Sequence, residues 1–309
     1  MQCIDLDKPS SYRPSLVSRF IETNYIKSMT TRALGYIKAG LPLNLRGISG
    51  TGKTTLAIYI ASKLRRPLVL IHGYEAFYIT DITDMPANAG QKAGAGFTPP
   101  SFGPGSLSYK RRLENGLAAA CKYGYTLVYD EFSRSALDKE TAHILLHILQ
   151  EKCPGFPAFP FYNPGKNKIH KNFTAIFTSS PEIQVDIYKG HDALTERMLT
   201  LDLDNFDRET EICIVKSASG LNHDDSEKIV TLVRELRASK VAECLPTIRA
   251  GMMIAKTVKK LNRQVSRNDL HFIQICLDIV SSETRCLGNR PNITIVRQTL
   301  IGLVEKHCR

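Results

Sequence analysis

Gly47-Ile48-Ser49-Gly50-Thr51-Gly52-Lys53-Thr54 satisfies G-x-x-x-x-G-K-S/T at every fixed position. The glycines let backbone N–H groups turn inward around an anion, and a helix starting at the end of the loop adds the positive end of its dipole. Lys53 is a point charge for the β- and γ-phosphates of a nucleotide, and the Thr54 hydroxyl is a hard oxygen ligand for magnesium. The surroundings agree with the spacing. Leu41 to Leu45 precede the loop as a short apolar strand, and Thr54 to Leu64 read as helix. The candidate nucleotide-binding residues are Gly47, Ile48, Ser49, Gly50, Thr51, Gly52, Lys53, Thr54 and Thr55, and the cofactors expected are ATP and Mg2+.

Working outward, four further apolar runs read as strands: Leu68-Val69-Leu70-Ile71, Thr126-Leu127-Val128-Tyr129, Phe173-Thr174-Ala175-Ile176-Phe177 and Leu199-Thr200-Leu201-Asp202-Leu203. Short continuous apolar strands separated by helices indicate a parallel sheet buried on both faces. Polar residues gather just past the strand ends, where open α/β sheets bind ligands. The third run ends at Asp130-Glu131. Asp130 is a candidate magnesium ligand beside Thr54, and Glu131 a candidate for orienting and polarising the attacking water.

The expected organisation is an arm at 1–27, an α/β nucleotide-binding domain at 28–205 with a five-stranded parallel sheet, and a smaller helical domain at 206–309. The first helix is expected over Ser28 to Ala39, from Met29, Ala33, Leu34 and Ile37. Asp192 to Met198 lacks the apolar period of a core helix. Two stretches rich in glycine and proline, 85–109 and 153–172, interrupt the α/β rhythm and read as long loops.

Composition excludes other classes. The 309 residues are 43% hydrophobic and 23% charged, the balance of a globular chain. No apolar run approaches the ~18–20 residues a membrane span needs. The first residues lack the basic and apolar regions of a secretory signal, so the expected location is the cytoplasm. Eight cysteines occur without a C-x-x-C, and scattered thiols of this kind read as small buried hydrophobes. His143 and His147 stand four apart, but Ile144 occupies the place where H-E-x-x-H needs its glutamate. The net charge of +11 favours an anionic partner without choosing one.

Taken together, the phosphate loop, Asp130-Glu131, Thr178-Ser179-Ser180-Pro181, Glu196-Arg197 and Pro246-Thr247-Ile248-Arg249-Ala250 follow the motif order of AAA+ ATPases. They resemble the MoxR-related branch. More narrowly, Arg46 to Thr55, Val69 to Gly73, Tyr123 to Phe132, Ala175 to Ser179, Asp192 to Leu194 and Asp207 to Glu211 resemble the gas vesicle protein N family. The resemblance covers roughly residues 28 to 235. It implies a homo-hexameric ring with ATP at subunit boundaries, and gas vesicle shell or accessory proteins as partners. By the same resemblance Arg197 matches the arginine finger acting on a neighbour's nucleotide, and Arg249 the sensor-2 arginine for the γ-phosphate. Ser180 stands at the sensor-1 position, where the family usually carries asparagine. A hydroxyl is shorter than an amide and donates one hydrogen bond.

The resulting expectation is an ATP-hydrolysing, chaperone-like remodelling protein of gas vesicle assembly, working in the cytoplasm and in association with gas vesicles. Two alternatives stay open. One is an AAA+ ATPase acting on nucleic acid, for which no helix-turn-helix, zinc-finger or RNP signature is present. The other is a nucleotide-gated scaffold with little hydrolysis, which Ser180 keeps in view.

Overall fold

The computed structural model describes residues 20–73, 117, 120–134, 139–152, 169–181, 190–241, 245–284 and 293–309. The glycine- and proline-rich stretch 85–109, most of 153–172, the arm up to residue 19, and Cys3, Cys153, Cys244 and Cys286 lie outside the described residues.

All five expected strands form: β1 (Leu43–Arg46), β2 (Leu68–His72), β3 (Thr126–Asp130), β4 (Thr174–Ser179) and β5 (Leu199–Asp202). They make one parallel sheet in the order β2-β3-β4-β1-β5. The strand carrying the phosphate loop therefore lies between β4 and β5, and the strand carrying Asp130 lies between β2 and β4. Parallel register puts His72 beside Asp130 and Arg46 beside both Ser179 and Asp202. Leu43, Leu45, Ile71, Leu127, Val128, Tyr129, Ile176 and Phe177 are fully buried, as a sheet covered on both faces requires. One polar residue interrupts the apolar run of β1. Asn44 is 2% exposed, and its amide oxygen accepts from the Ser179 hydroxyl at 3.0 Å while its nitrogen donates to the Thr200 hydroxyl at 3.4 Å. The bonds across three strands satisfy a group that would otherwise be costly to bury.

Helices among the described residues of this part of the chain include α1 (Asn24–Lys38), α2 (Lys53–Lys63), α3 (Lys139–Lys152) and α4 (Gly190–Thr195). Helix α1 starts a turn before the Ser28 expected from periodicity, and Ile26, 2% exposed, extends the buried stripe of Met29, Ala33 and Ile37 into that turn. Helix α4 overlaps the stretch from Asp192 that carries no core-helix period. At six residues it is too short to show one, and the fully buried Leu194 anchors it. Next to β3 and β4, Tyr129, Phe132 and Phe177 stack or meet edge-on with ring centroids 5.4–6.0 Å apart. Leu145 and Leu149 of α3, with Phe173, Leu194 and Met198, join the same core cluster.

Contacts separate the described residues into two units. Residues 30–48 and 52–203 form the α/β unit; residues 20–29, 49–51 and 204–309 form the other. The second is helical beyond β5: α5 (Arg208–Ser219), α6 (His223–Ser239), α7 (Ile248–Lys260), α8 (Leu270–Glu283) and α9 (Ile293–His307). Capping defines several starts. Asp207 accepts from Thr210 N at 3.0 Å, Asn222 from Asp225 N at 2.7 Å, and Asp269 from His271 N at 2.9 Å. Ile229, Val233, Ile254, Val258, Phe272, Leu300 and Val304 fill its core. One carboxylate is buried among them. Glu211, 1% exposed, accepts from Arg234 and Arg237, each at 3.0 Å. No helix among the described residues is long and apolar enough to cross a membrane.

Candidate nucleotide site

The phosphate loop follows β1 directly, and Gly47 N is tied to Ser179 O at 3.1 Å. Gly50 (φ +89°) and Gly52 (φ +83°) both take the left-handed conformation, which a side chain disfavours. Gly52 then caps α2, so Lys53 and Thr54 open that helix with its free N–H groups facing the loop. Lys53 is 4% exposed, and its ammonium donates to Ile48 O at 2.9 Å across the loop.

Asp130 at the end of β3 is the hub of the site. Its Oδ1 accepts from the Thr54 hydroxyl at 2.6 Å and from the Thr178 hydroxyl at 2.7 Å, while Oδ2 meets His72 Nδ1 at 3.2 Å. Burial alone would raise its pKa. The bonds from His72, Thr54 and Thr178, with the nearby imidazole, more than offset that and hold it below the ordinary carboxylate value. The acid is therefore an anion over the whole physiological range.

Glu131 follows in a left-handed conformation, φ +51°, which costs a non-glycine residue about 1 kcal/mol or more. Its backbone N–H donates to the Thr178 hydroxyl at 2.8 Å. Thr178, fully buried, thus joins both acids through one oxygen, donating to Asp130 and accepting from Glu131. Ser180, 2% exposed, has its hydroxyl 3.4 Å from Glu131 Oε2, and its backbone N–H donates to the Ser133 hydroxyl at 3.2 Å.

The structure brings Lys53, Thr54, Asp130, Glu131 and Ser180 together at the C-terminal ends of the central strands. Sequence reasoning did not single out His72 and Thr178. Both had a readable signal, since each is a polar residue at the end of an apolar strand, but only register shows that His72 faces Asp130. Arg197 lies in the α/β unit after α4. Its guanidinium donates to Ala193 O, and with the Gln150 amide oxygen turned toward it, Nε and Nη2 donate to that oxygen at 3.1 and 3.0 Å. Arg249 belongs to the helical unit and is exposed at the start of α7, where Thr247 caps its N–H at 3.3 Å.

The donor set suits magnesium. Thr54 and Asp130 present hard oxygens to the end of a phosphate-binding loop, and one or two such ligands beside nucleotide oxygens are the usual protein share of a Mg2+ site.

No family model matches the chain. Curated relatives do. The gas vesicle ATPase GvpN of Ancylobacter aquaticus is 33% identical over 305 residues, covering 97% of this chain and 84% of that protein. The chain belongs to the gas vesicle ATPase GvpN family. The Haloferax mediterranei gas vesicle ATPase GvpN is 32% identical over 273 residues, 85% of this chain and 74% of its own length. Among solved structures, the Thermotoga maritima RuvB Holliday junction branch migration motor aligns at TM-score 0.47 and 19% identity, over 96% of this chain and 76% of its own. A closed-state Hsp104 aligns at TM-score 0.49 and 11% identity, over 84% and 41%. As a member of the GvpN family the chain is a nucleotide-binding ATP hydrolase, and its fold is a five-stranded parallel sheet with helices, carrying the phosphate loop, and a helical C-terminal region.

Proposed function

We propose that this GvpN-family ATPase is a chaperone-like machine of gas vesicle assembly, using ATP hydrolysis to remodel a shell or accessory protein from within a homo-hexameric ring. The observation that supports turnover most directly is the network in which Thr54, Thr178 and His72 hold Asp130 while Thr178 also holds Glu131.

In this reading Gly47 to Thr55 wrap the phosphates, and Lys53 carries the positive charge on the β- and γ-groups. Thr54 and Asp130 hold Mg2+, which when bound neutralises charge on the phosphate oxygens. Glu131 orients a water and takes its proton as the water oxygen bonds to the γ-phosphorus. The bond to the bridging oxygen breaks, and its electron pair leaves with ADP. Ser180 acts on Glu131 or the water through its single hydroxyl. Arg197 acts on a neighbouring subunit's nucleotide, where such an arginine contributes ~10³–10⁵ in rate, and Arg249 meets the γ-phosphate. For Arg197 this requires release from Gln150.

Ser180, a single hydroxyl where the family usually carries an asparagine amide, also favours a second reading, a nucleotide-gated scaffold that turns over slowly. One experiment tests both. ATP turnover is measured with and without gas vesicle proteins for the parent, Lys53→Ala and Glu131→Gln. Remodelling predicts turnover that rises with those proteins, ATP binding lost in the first variant, and ATP bound but not hydrolysed in the second. Turnover indifferent to every gas vesicle protein would refute remodelling, and a slow rate that Glu131→Gln leaves unchanged would support the scaffold.

A further inference from the structure

The exposed side of helix α7 and the turn that follows it carry a concentration of charge that the nucleotide chemistry does not use. Between Met253 and His271 there are five basic residues, Lys256, Lys259, Lys260, Arg263 and Arg267, against one acid, Asp269. That is a net +4 in a short segment of a chain whose total is +11. All five cations are exposed. The acid is already engaged as the cap of α8, accepting from His271 N at 2.9 Å, Phe272 N at 3.1 Å and Gln264 N at 3.2 Å.

This surface is ordered. Ile254, Ala255 and Val258 bury the opposite side of α7, so Lys256 and Lys260, one turn apart, project together with Met253. After the helix, Arg263 N bonds to Val258 O at 3.0 Å and Asn262 takes a left-handed φ of +50°. Val265, 4% exposed, pins the turn inward, and Arg267 N is held by Cys308 O at 2.6 Å. Among the cations stand three apolar side chains that folding leaves in water: Met253 at 41% exposure, Leu261 at 56% and Leu270 at 78%. Single exposed leucines are ordinary, but leucines set into a fixed basic surface match a ligand with both acidic and apolar groups. Nucleic acid would meet the cations but has no use for the leucines, and no exposed Phe, Tyr or Trp is present on this segment to stack a base.

We propose that the α7–α8 surface is a docking site for an acidic protein segment in which carboxylates are interleaved with apolar side chains, the carboxylates meeting Lys256, Lys260 and Arg263 and the apolar groups meeting Leu261 and Leu270. A pre-ordered surface loses little conformational freedom on binding, which favours capture of an extended or newly folding segment. The site is independent of the nucleotide chemistry proposed above.

The test is fluorescence anisotropy with a short labelled peptide of glutamates interleaved with leucines, against the full-length protein. The parent should bind it with an affinity that falls as salt rises. The Lys256→Glu/Lys260→Glu/Arg263→Glu variant should bind at least about tenfold more weakly and lose most of that salt dependence. The Leu261→Ser/Leu270→Ser variant should weaken binding several-fold while keeping the salt dependence, and it remains informative should the charge-reversal protein fail to fold. Circular dichroism establishes folding in each case. ATP turnover of the folded charge-reversal variant should equal the parent's, so failure of the docking site and failure of the catalytic reading give different results. Equal binding by parent and variants, no binding by the parent, or tighter binding of a single-stranded oligonucleotide or a phosphatidylserine vesicle than of the peptide would each overturn the proposal.

Discussion

Replacing Thr178 by valine changes almost no volume and removes one hydroxyl. That hydroxyl donates to Asp130 Oδ1 at 2.7 Å and accepts from Glu131 N at 2.8 Å, in a residue with no exposure to solvent. Two costs follow. A buried N–H left without a partner costs about 1–3 kcal/mol, and a lost hydrogen bond to a charged group about 1.5–3 kcal/mol. Because both pass through one oxygen they do not simply add, and a net destabilisation of about 3 kcal/mol is expected. The effect on rate has a separate cause. Glu131 sits at φ +51°, a conformation that persists only where neighbours enforce it, and the Thr178 bond is one of those enforcing contacts. Without it the carboxylate loses its fixed aim, and ATP turnover should fall about 10- to 100-fold with a smaller change in KM. Thr178→Ser keeps the hydroxyl and should recover most of both losses. The assays are urea unfolding followed by circular dichroism, and steady-state phosphate release. A valine variant within about 0.5 kcal/mol of the parent and with parental turnover would refute the claim that Thr178 positions the two acids.

The proposed subunit boundary has its own test. Arg197→Ala and Glu131→Gln proteins, each inactive alone, should recover part of the turnover when mixed under conditions of subunit exchange, because some interfaces then pair an intact Glu131 with an intact Arg197. No recovery despite demonstrated exchange would return Arg197 to the role its bonds to Ala193 and Gln150 describe. In the helical unit, Glu211→Gln leaves Arg234 and Arg237 facing a neutral group at a site 1% exposed, and should lower stability by about 3–5 kcal/mol in a thermal melt. A melt unchanged by that substitution would show the two arginines to be satisfied without the carboxylate. Acid should act through Asp130. Its folded pKa lies below the ordinary 3.8, so its contribution to stability is complete above that value and is lost as pH falls through the lower folded value. Replacing Asp130 by asparagine should therefore flatten the acid limb of the stability profile, and an unchanged limb would assign it to other groups.

Much of this protein was legible before any coordinates. The phosphate loop is read from covalent geometry: glycine alone takes φ near +89° and +83° without strain, so Gly50 and Gly52 announce the turn. The five strands are legible because a parallel sheet buried on both faces demands unbroken apolar runs, and Leu68–His72 or Thr126–Asp130 could hardly be anything else. Elements whose stability comes from elsewhere were not legible. Helix α4 is too short for a period and rests on Leu194. The same division runs through the site. Lys53, Thr54, Asp130 and Glu131 announce themselves by motif, because their spacing along the chain is their chemistry. His72 and Thr178 were read only as members of longer stretches, with no role of their own, and their role appears because strands distant in sequence lie side by side in a fixed register. Backbone hydrogen bonding between strands sets that register, and it decided which polar strand ends would share a proton donor with Asp130 and which residue would hold Glu131 in its strained conformation.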